Sequence, residues 1–127
     1  PEVSLDNGHR PIIDLLTATK LCIVTTNGTT YLESFYLGVP TVIYWDTTRW
    51  ELLESVVPYF EDLARVGVFH DTPESAANHV SNIWNEVQLW WLDDAVVDAV
   101  ARFKRHYCGD PGQVLDEVQS ALLSVAR

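Results

Sequence analysis

Two apolar runs, Leu21-Cys22-Ile23-Val24 and Thr41-Val42-Ile43-Tyr44-Trp45, frame a segment with helical periodicity. Strands that read as nearly continuous apolar runs are those covered on both faces. Between them, from Thr29 to Leu37, residues Tyr31, Leu32, Phe35 and Tyr36 fall on neighbouring faces of a helix. Gly38 is placed to stop that helix and Pro40 prevents its continuation. A helix between the strands excludes a hairpin. The connection is long enough for a parallel crossover, which would be right-handed. This unit commits the chain to the α/β class.

The remaining pattern extends the unit. Ile12, Ile13, Leu15 and Leu16 predict a short buried helix, with Pro11 as its first residue. After Asp46, Thr47 or Thr48 can cap a helix, with Glu51 as a capping-box partner and an amphipathic stretch from Trp50 to Val57 that Pro58 breaks or restarts. Tyr59 to Arg65 predicts a second short helix, and Gly67-Val68-Phe69 a third strand ending at His70-Asp71. Thr72-Pro73-Glu74-Ser75 reads as a helix start. One long helix is expected from Ser75 to Leu92, with Ala76, Val80, Ile83, Trp84, Val87 and Trp91 at helical spacing. Further helices follow over Asp93–Cys108 and Val114–Ala126, separated by Gly109-Asp110-Pro111-Gly112. The expected fold is a partial Rossmann-like parallel sheet of three to four strands with a helical C-terminal half, residues 1–127 forming a single α/β domain.

Charge and motifs narrow the function. A formal net charge of −10, with 8 scattered Lys and Arg, weighs against nucleic acid, which needs clustered cations. Arg102, Lys104 and Arg105 form one local cluster that reads as a solvated helix face. No apolar run approaches the ~20 residues of a membrane helix, and no signal peptide opens the chain, so a cytoplasmic location is expected. Cys22 and Cys108 read as free buried thiols of a reducing compartment. Neither cysteine has His or Cys partners at metal spacing, so no metal and no cofactor is expected. The phosphate-loop, dinucleotide and nucleophile-elbow glycine motifs are absent.

In an open parallel sheet, ligands bind beyond the carboxyl ends of the strands. Three such turns should meet on one edge: Thr25-Thr26-Asn27-Gly28, Asp46-Thr47-Thr48 and His70-Asp71-Thr72. The first continues into Thr29 and Thr30, so Thr26, Asn27, Gly28, Thr29 and Thr30 offer hydroxyls and free backbone N–H groups suited to a phosphate. Gly28 permits close backbone approach. Glu33, one turn into the helix, can accept hydrogen bonds from sugar hydroxyls. The plainer alternative is that Asn27 or Thr26 caps the helix while Glu33 offsets its dipole. His70 and Asp71 are candidates for a general base or ribose contact, and Asp46 is a further candidate at the neighbouring strand end. The plainer reading of His70 and Asp46 is a structural or solvated strand-end residue. His79 and His106 are expected on helix surfaces without a role. Trp84 and Trp91, seven apart, are expected in the core, and Trp90 at an interface. No residue stands out as catalytic.

The stretch from Ile13 through Trp45 resembles the nucleotide-sugar-binding half of GT-B glycosyltransferases. There a strand leads to a Gly/Ser/Thr turn, a helix with an acidic residue, and a Gly-x-Pro before the next strand. Here these are Thr25 to Thr30, Glu33 and Gly38-Val39-Pro40. The ordered series Trp45-Asp46, Trp50-Glu51-Leu52, Pro58-Tyr59-Phe60, Leu63, Val66 to Pro73, Ala76-Ala77 and Trp90-Trp91 extends the likeness. It resembles the C-terminal part of a family of transferases from bacterial surface-carbohydrate (O-antigen or capsule) gene clusters, over roughly Asp6 to Tyr107.

The resemblance implies a nucleotide-sugar donor whose pyrophosphate lies at Gly28, Thr29 and Thr30 and whose ribose is held by Glu33. It also implies that the chain covers only part of one of two halves, without the acceptor side. Donor binding is then expected to be weak or absent in this chain alone, and catalysis absent. Apolar surface left uncovered by a missing N-terminal domain favours a homodimer or a larger parent protein. A non-catalytic oligomeric interaction module derived from such a domain is the alternative. A phosphosugar isomerase-like binding domain is a more distant one.

Overall fold

The computed structural model describes residues 3–109 and 111–125. It is a three-stranded parallel sheet, β1 (Cys22–Val24), β2 (Thr41–Tyr44) and β3 (Phe69–His70), in the order β1-β2-β3. Cys22 pairs with Thr41, Val24 with Ile43, Ile43 with Phe69 and Tyr44 with His70. Helix α1 (Ile12–Thr17) precedes the sheet, α2 (Thr30–Tyr36) joins β1 to β2, and α3 (Val57–Arg65) leads into β3. Then follow α4 (Pro73–Ile83), α5 (Val87–Trp91), α6 (Asp94–Tyr107) and α7 (Pro111–Val125). The α/β class and the helical later half are as the sequence predicts. Of the three to four strands expected, three are present among the described residues.

Side chains alternate across a strand, so β2 divides the core. Ile43 and Trp45 point to the side of α2, α3 and α6, where they join Tyr31, Phe35, Phe60, Leu63 and Phe103 in one aromatic-rich cluster. Tyr31 lies at its centre, within about ring-contact distance of Phe35, Trp45, Phe60 and Phe103. Val42, fully buried, points to the opposite face, where α4 packs on β2 and β3 and buries Ala76. Over β1 that second face is open, and Ile23 is half exposed.

Helices α2 and α3 end alike. Gly38 (φ 71°) donates to Phe35 O while Val39 donates to Ser34 O. Gly67 (φ 78°) donates to Ala64 O while Val68 donates to Leu63 O. Each glycine takes the left-handed conformation that closes a helix, and each turn feeds the next strand. Helix α5 runs beneath these two turns. The Trp91 indole donates to Gly38 O at 3.1 Å and the Trp90 indole to Val66 O at 3.0 Å. The amino edge of the sheet is thereby pinned to α5.

Four local expectations need correction. The stretch from Trp50 to Val57 is not a helix: Arg49 N–H and Trp50 N–H both bond to Asp46 O, and the chain continues as loop. Pro58 restarts the chain as α3, one of the two roles expected of it, because the first turn needs no N–H from it. The helix expected over Ser75–Leu92 is split at Trp84–Glu86. Lys20 Nζ bonds to the carbonyl of Trp84 at the break and lies 4.4 Å from the Trp84 ring centre. The break ends the seven-residue phase, so Trp91 is buried while Trp84 is half exposed. Trp90, expected at an interface, is half-buried and engaged with Val66.

The Arg102–Lys104–Arg105 cluster is not purely solvated either: Arg102 pairs with Asp62 of α3, as Arg65 does. Cys22 and Cys108 are free and half-buried, and burial raises both thiols above their ordinary range. No described helix is long and apolar enough to cross a membrane.

Candidate functional site

The three turns predicted to converge do follow the carboxyl ends of three adjacent parallel strands. Neighbouring strands lie about 4.8 Å apart, so the outer two turns are separated by about 10 Å along the edge.

The β1 turn is exposed from Thr25 to Thr29. Helix α2 begins after Thr29, and no side chain caps it. The expected Asn27 or Thr26 cap is absent for a specific reason. Asn27 Oδ1 instead accepts from the hydroxyl of Tyr31, at 3.3 Å, which ties the turn to the aromatic core. Leu32 N–H and Glu33 N–H bond to Thr29 O, and Gly28 N–H bonds to Thr26 O. The N–H groups of Thr29, Thr30 and Tyr31 have no backbone or side-chain acceptor among the described residues. Glu33 is exposed and shares a helix face with Thr29 and Thr30. Helical side chains lean toward the N-terminus, so its carboxylate belongs over the turn. A Cβ at Gly28 would meet only Thr26 Oγ1, at 3.7 Å, so the space above Gly28 is open.

Asp46 is held more firmly than the sequence implies. Its carboxylate accepts from Thr48 N–H at 2.9 Å and from the Thr48 hydroxyl at 2.6 Å, and pairs with Arg49 at 3.3 Å. The Thr48 hydrogen bonds, chiefly, hold this carboxyl below the usual aspartate range. Asp46 therefore acts first as the lock of the loop after β2.

His70 has both ring nitrogens engaged: Nδ1 lies 2.8 Å from Ser75 Oγ and Nε2 3.0 Å from Gly67 O. His79, expected to be inert on a helix surface, packs its ring 5.2 Å from that of His70 and 5.0 Å from that of Trp90. Its Nε2 is buried without a partner. Burial, and secondarily the neighbouring His70, hold its pKa below the ordinary histidine value. His106 stacks on Tyr59 at 4.5 Å.

A cleft of about 760 Å³ opens beyond β2 and β3. Its polar lining is Thr47, Glu51, Glu61, His70, Asp71 and Ser75, and Leu52, Val57, Phe60 and Phe69 supply apolar surface. That volume is in the range of small-molecule sites. The cleft takes in His70 and Asp71 of the predicted residues; Thr26 to Thr30, Glu33 and Asp46 do not line it. Glu51, Glu61 and Ser75 were missed by sequence reasoning. The local pattern makes Glu51 a helix cap and Ser75 part of a helix start, and nothing local relates either to His70. Among the described residues no three His, Cys, Asp or Glu side chains converge as metal ligands would.

Residues 1–122 match the family model described as LIC12162 family transferase. The chain belongs to this transferase family. No curated protein and no solved structure matches it. The family match spans the sheet, the three strand-end turns and the cleft. All candidate residues thus lie within the part that carries the transferase assignment.

Proposed function

We propose that this member of the LIC12162 transferase family forms the donor side of a glycosyl-transfer site. The ligand is a nucleotide sugar, and the pathway is the building of bacterial surface polysaccharide. One observation carries the reading: a transferase-family chain sets an uncapped, hydroxyl-rich turn and a small-molecule-sized cleft along one carboxyl edge of a parallel sheet. In this reading the backbone N–H groups of Thr29 and Thr30, the hydroxyls of Thr26, Thr29 and Thr30, and the Asn27 amide take the donor phosphates. Gly28 lets them approach. Glu33 and the strand-end residues Asp46 and His70 lie beside them as ribose or base contacts.

No residue is assigned to bond cleavage. In this reading the acceptor is held by a second, GT-B-like half, and the residues named above serve donor binding. A thermal-shift panel of CMP, CDP, UDP and GDP with their sugars tests the reading. A shift with one nucleotide series, lost in Gly28→Ala, supports it. No shift with any member at millimolar concentration sinks donor binding by this chain.

A non-catalytic oligomeric module is the second reading. Val118, Leu122 and Leu123 of α7 are each at least half exposed, as are Ile13 of α1 and Ile23 of β1. Large exposed apolar residues become a mark of association where they gather into one patch. Self-association seen by light scattering, with no nucleotide effect, favours it. A clean monomer at all concentrations counts against it.

A further inference from the structure

The cleft and the β1 turn share one sheet edge but differ in hydrogen-bonding character. Gly67 O has no proton, so its bond to His70 requires a hydrogen on Nε2. With the hydrogen on Nε2, Nδ1 is the acceptor of this tautomer and Ser75 donates its hydroxyl hydrogen to it. What Ser75 presents to the cleft is its oxygen lone pairs. Glu51, Glu61 and Asp71 add three carboxylates, and no Lys or Arg is among the described lining residues.

The start of α4 also lies here, and it is closed to anions. Pro73 has no N–H. Ser75 N–H is taken by the Thr72 hydroxyl at 3.2 Å, and Ala76 N–H by Thr72 O. Only Glu74 N–H is left, next to its own carboxylate. The wall is therefore rich in acceptors and poor in donors, with Phe60 and Phe69 as its apolar surface.

We propose that this cleft holds a pyranose ring bearing hydroxyl or ammonium groups, and that Ser75, fixed by His70, is a specificity-determining acceptor for it. Ring hydroxyls donate to Ser75 Oγ and to the carboxylates, and the C–H face of the ring lies on the apolar surface. Phosphate is refused here and left to the β1 turn, two strands along the same sheet edge. The inference rests on the donor-side reading and names where the sugar goes.

The test is amide-resolved NMR titration of the whole chain with glucose, glucosamine and inorganic phosphate separately. Both sugars should move the amides of Phe60 to Ala64 and of Phe69 to Ser75, and phosphate those of Thr26 to Thr30. Ser75→Ala should weaken both sugars about 3- to 10-fold, the worth of one hydrogen bond. Glu61→Gln should weaken glucosamine more than glucose, because only the ammonium loses an ion pair. Phosphate moving the cleft amides, or sugars leaving them still, overturns the proposal. So does equal sugar binding by wild type and Ser75→Ala. Sugar shifts in the cleft without any nucleotide-sugar effect would leave this inference standing and remove the donor reading. Nucleotide-sugar binding without sugar shifts in the cleft would do the reverse.

Discussion

The two edges of this small sheet are built on opposite principles. At the amino edge, two glycine turns enter β2 and β3, the Trp90 and Trp91 indoles bond to them, and His79 fills the space over Gly67. At the carboxyl edge the turns are exposed, an uncapped helix start presents its N–H groups, and a cleft stands open. The first edge fixes the strands; the second leaves polar groups without partners, as a ligand requires. Substitutions at the amino edge should therefore cost stability, and those at the carboxyl edge should cost binding.

The largest effect is expected at Gly67. Its left-handed φ alone penalises a side chain by about 1–2 kcal/mol. An added Cβ would also run into the His79 ring, so Gly67→Ala should lose about 2–5 kcal/mol in denaturant melts. Gly38→Ala, with φ 71° and open space around its Cβ, should lose only about 1–2 kcal/mol. The difference should vanish in a His79→Ala background, a double-mutant cycle that isolates the clash. Equal costs at the two glycines would show that His79 gives way freely.

Next comes Trp91→Phe, which removes the donor to Gly38 O and part of a buried ring. It should lose about 1–3 kcal/mol. Loss of the Thr72 cap in Thr72→Ala should cost about 1 kcal/mol.

The pH dependence probes the same edge. His79 has its pKa lowered in the folded chain, so the unfolded chain binds the proton more readily. Stability is then full above the unfolded value, about 6.5, and falls as pH drops through it. His79→Gln should flatten the melting temperature between neutral and mildly acid pH; an unchanged slope would assign the loss to other groups.

The smallest stability effect should come from the carboxyl edge. Gly28→Ala meets nothing closer than 3.7 Å and has no positive φ, so its melt should match wild type within about 0.5 kcal/mol. Any nucleotide-dependent shift should nonetheless be lost. A large stability loss here would undo the contrast between the edges.

Much of the fold was legible because it rests on local rules. The apolar runs of β1 and β2, the Gly38 stop and the Thr72-Pro73 helix start all carry their causes within a few residues. The second glycine turn was not legible: Gly67 reads as the start of the third strand, and its role as a helix stop shows only in the structure. The break at Trp84–Glu86 contains neither Gly nor Pro. It follows from α5 passing under the sheet so that two indoles reach Val66 and Gly38, which no helical periodicity can announce. The loop after Asp46 was lost to the pattern for a similar reason, since a carboxylate lock at Thr48 and Arg49 overrode an amphipathic stretch.

The candidate site divides the same way. The sequence by itself determined the parallel β1-α2-β2 crossover, and with it which ends of the strands can face a ligand. Strand direction follows from chain length and periodicity, which are local properties. Only the tertiary structure decided that His70 meets Ser75, that Asp46 is occupied by its own loop, and that Glu51 and Glu61 border a cleft. Those relations depend on how α3 and α4 settle against β3, and packing between distant segments sets that position.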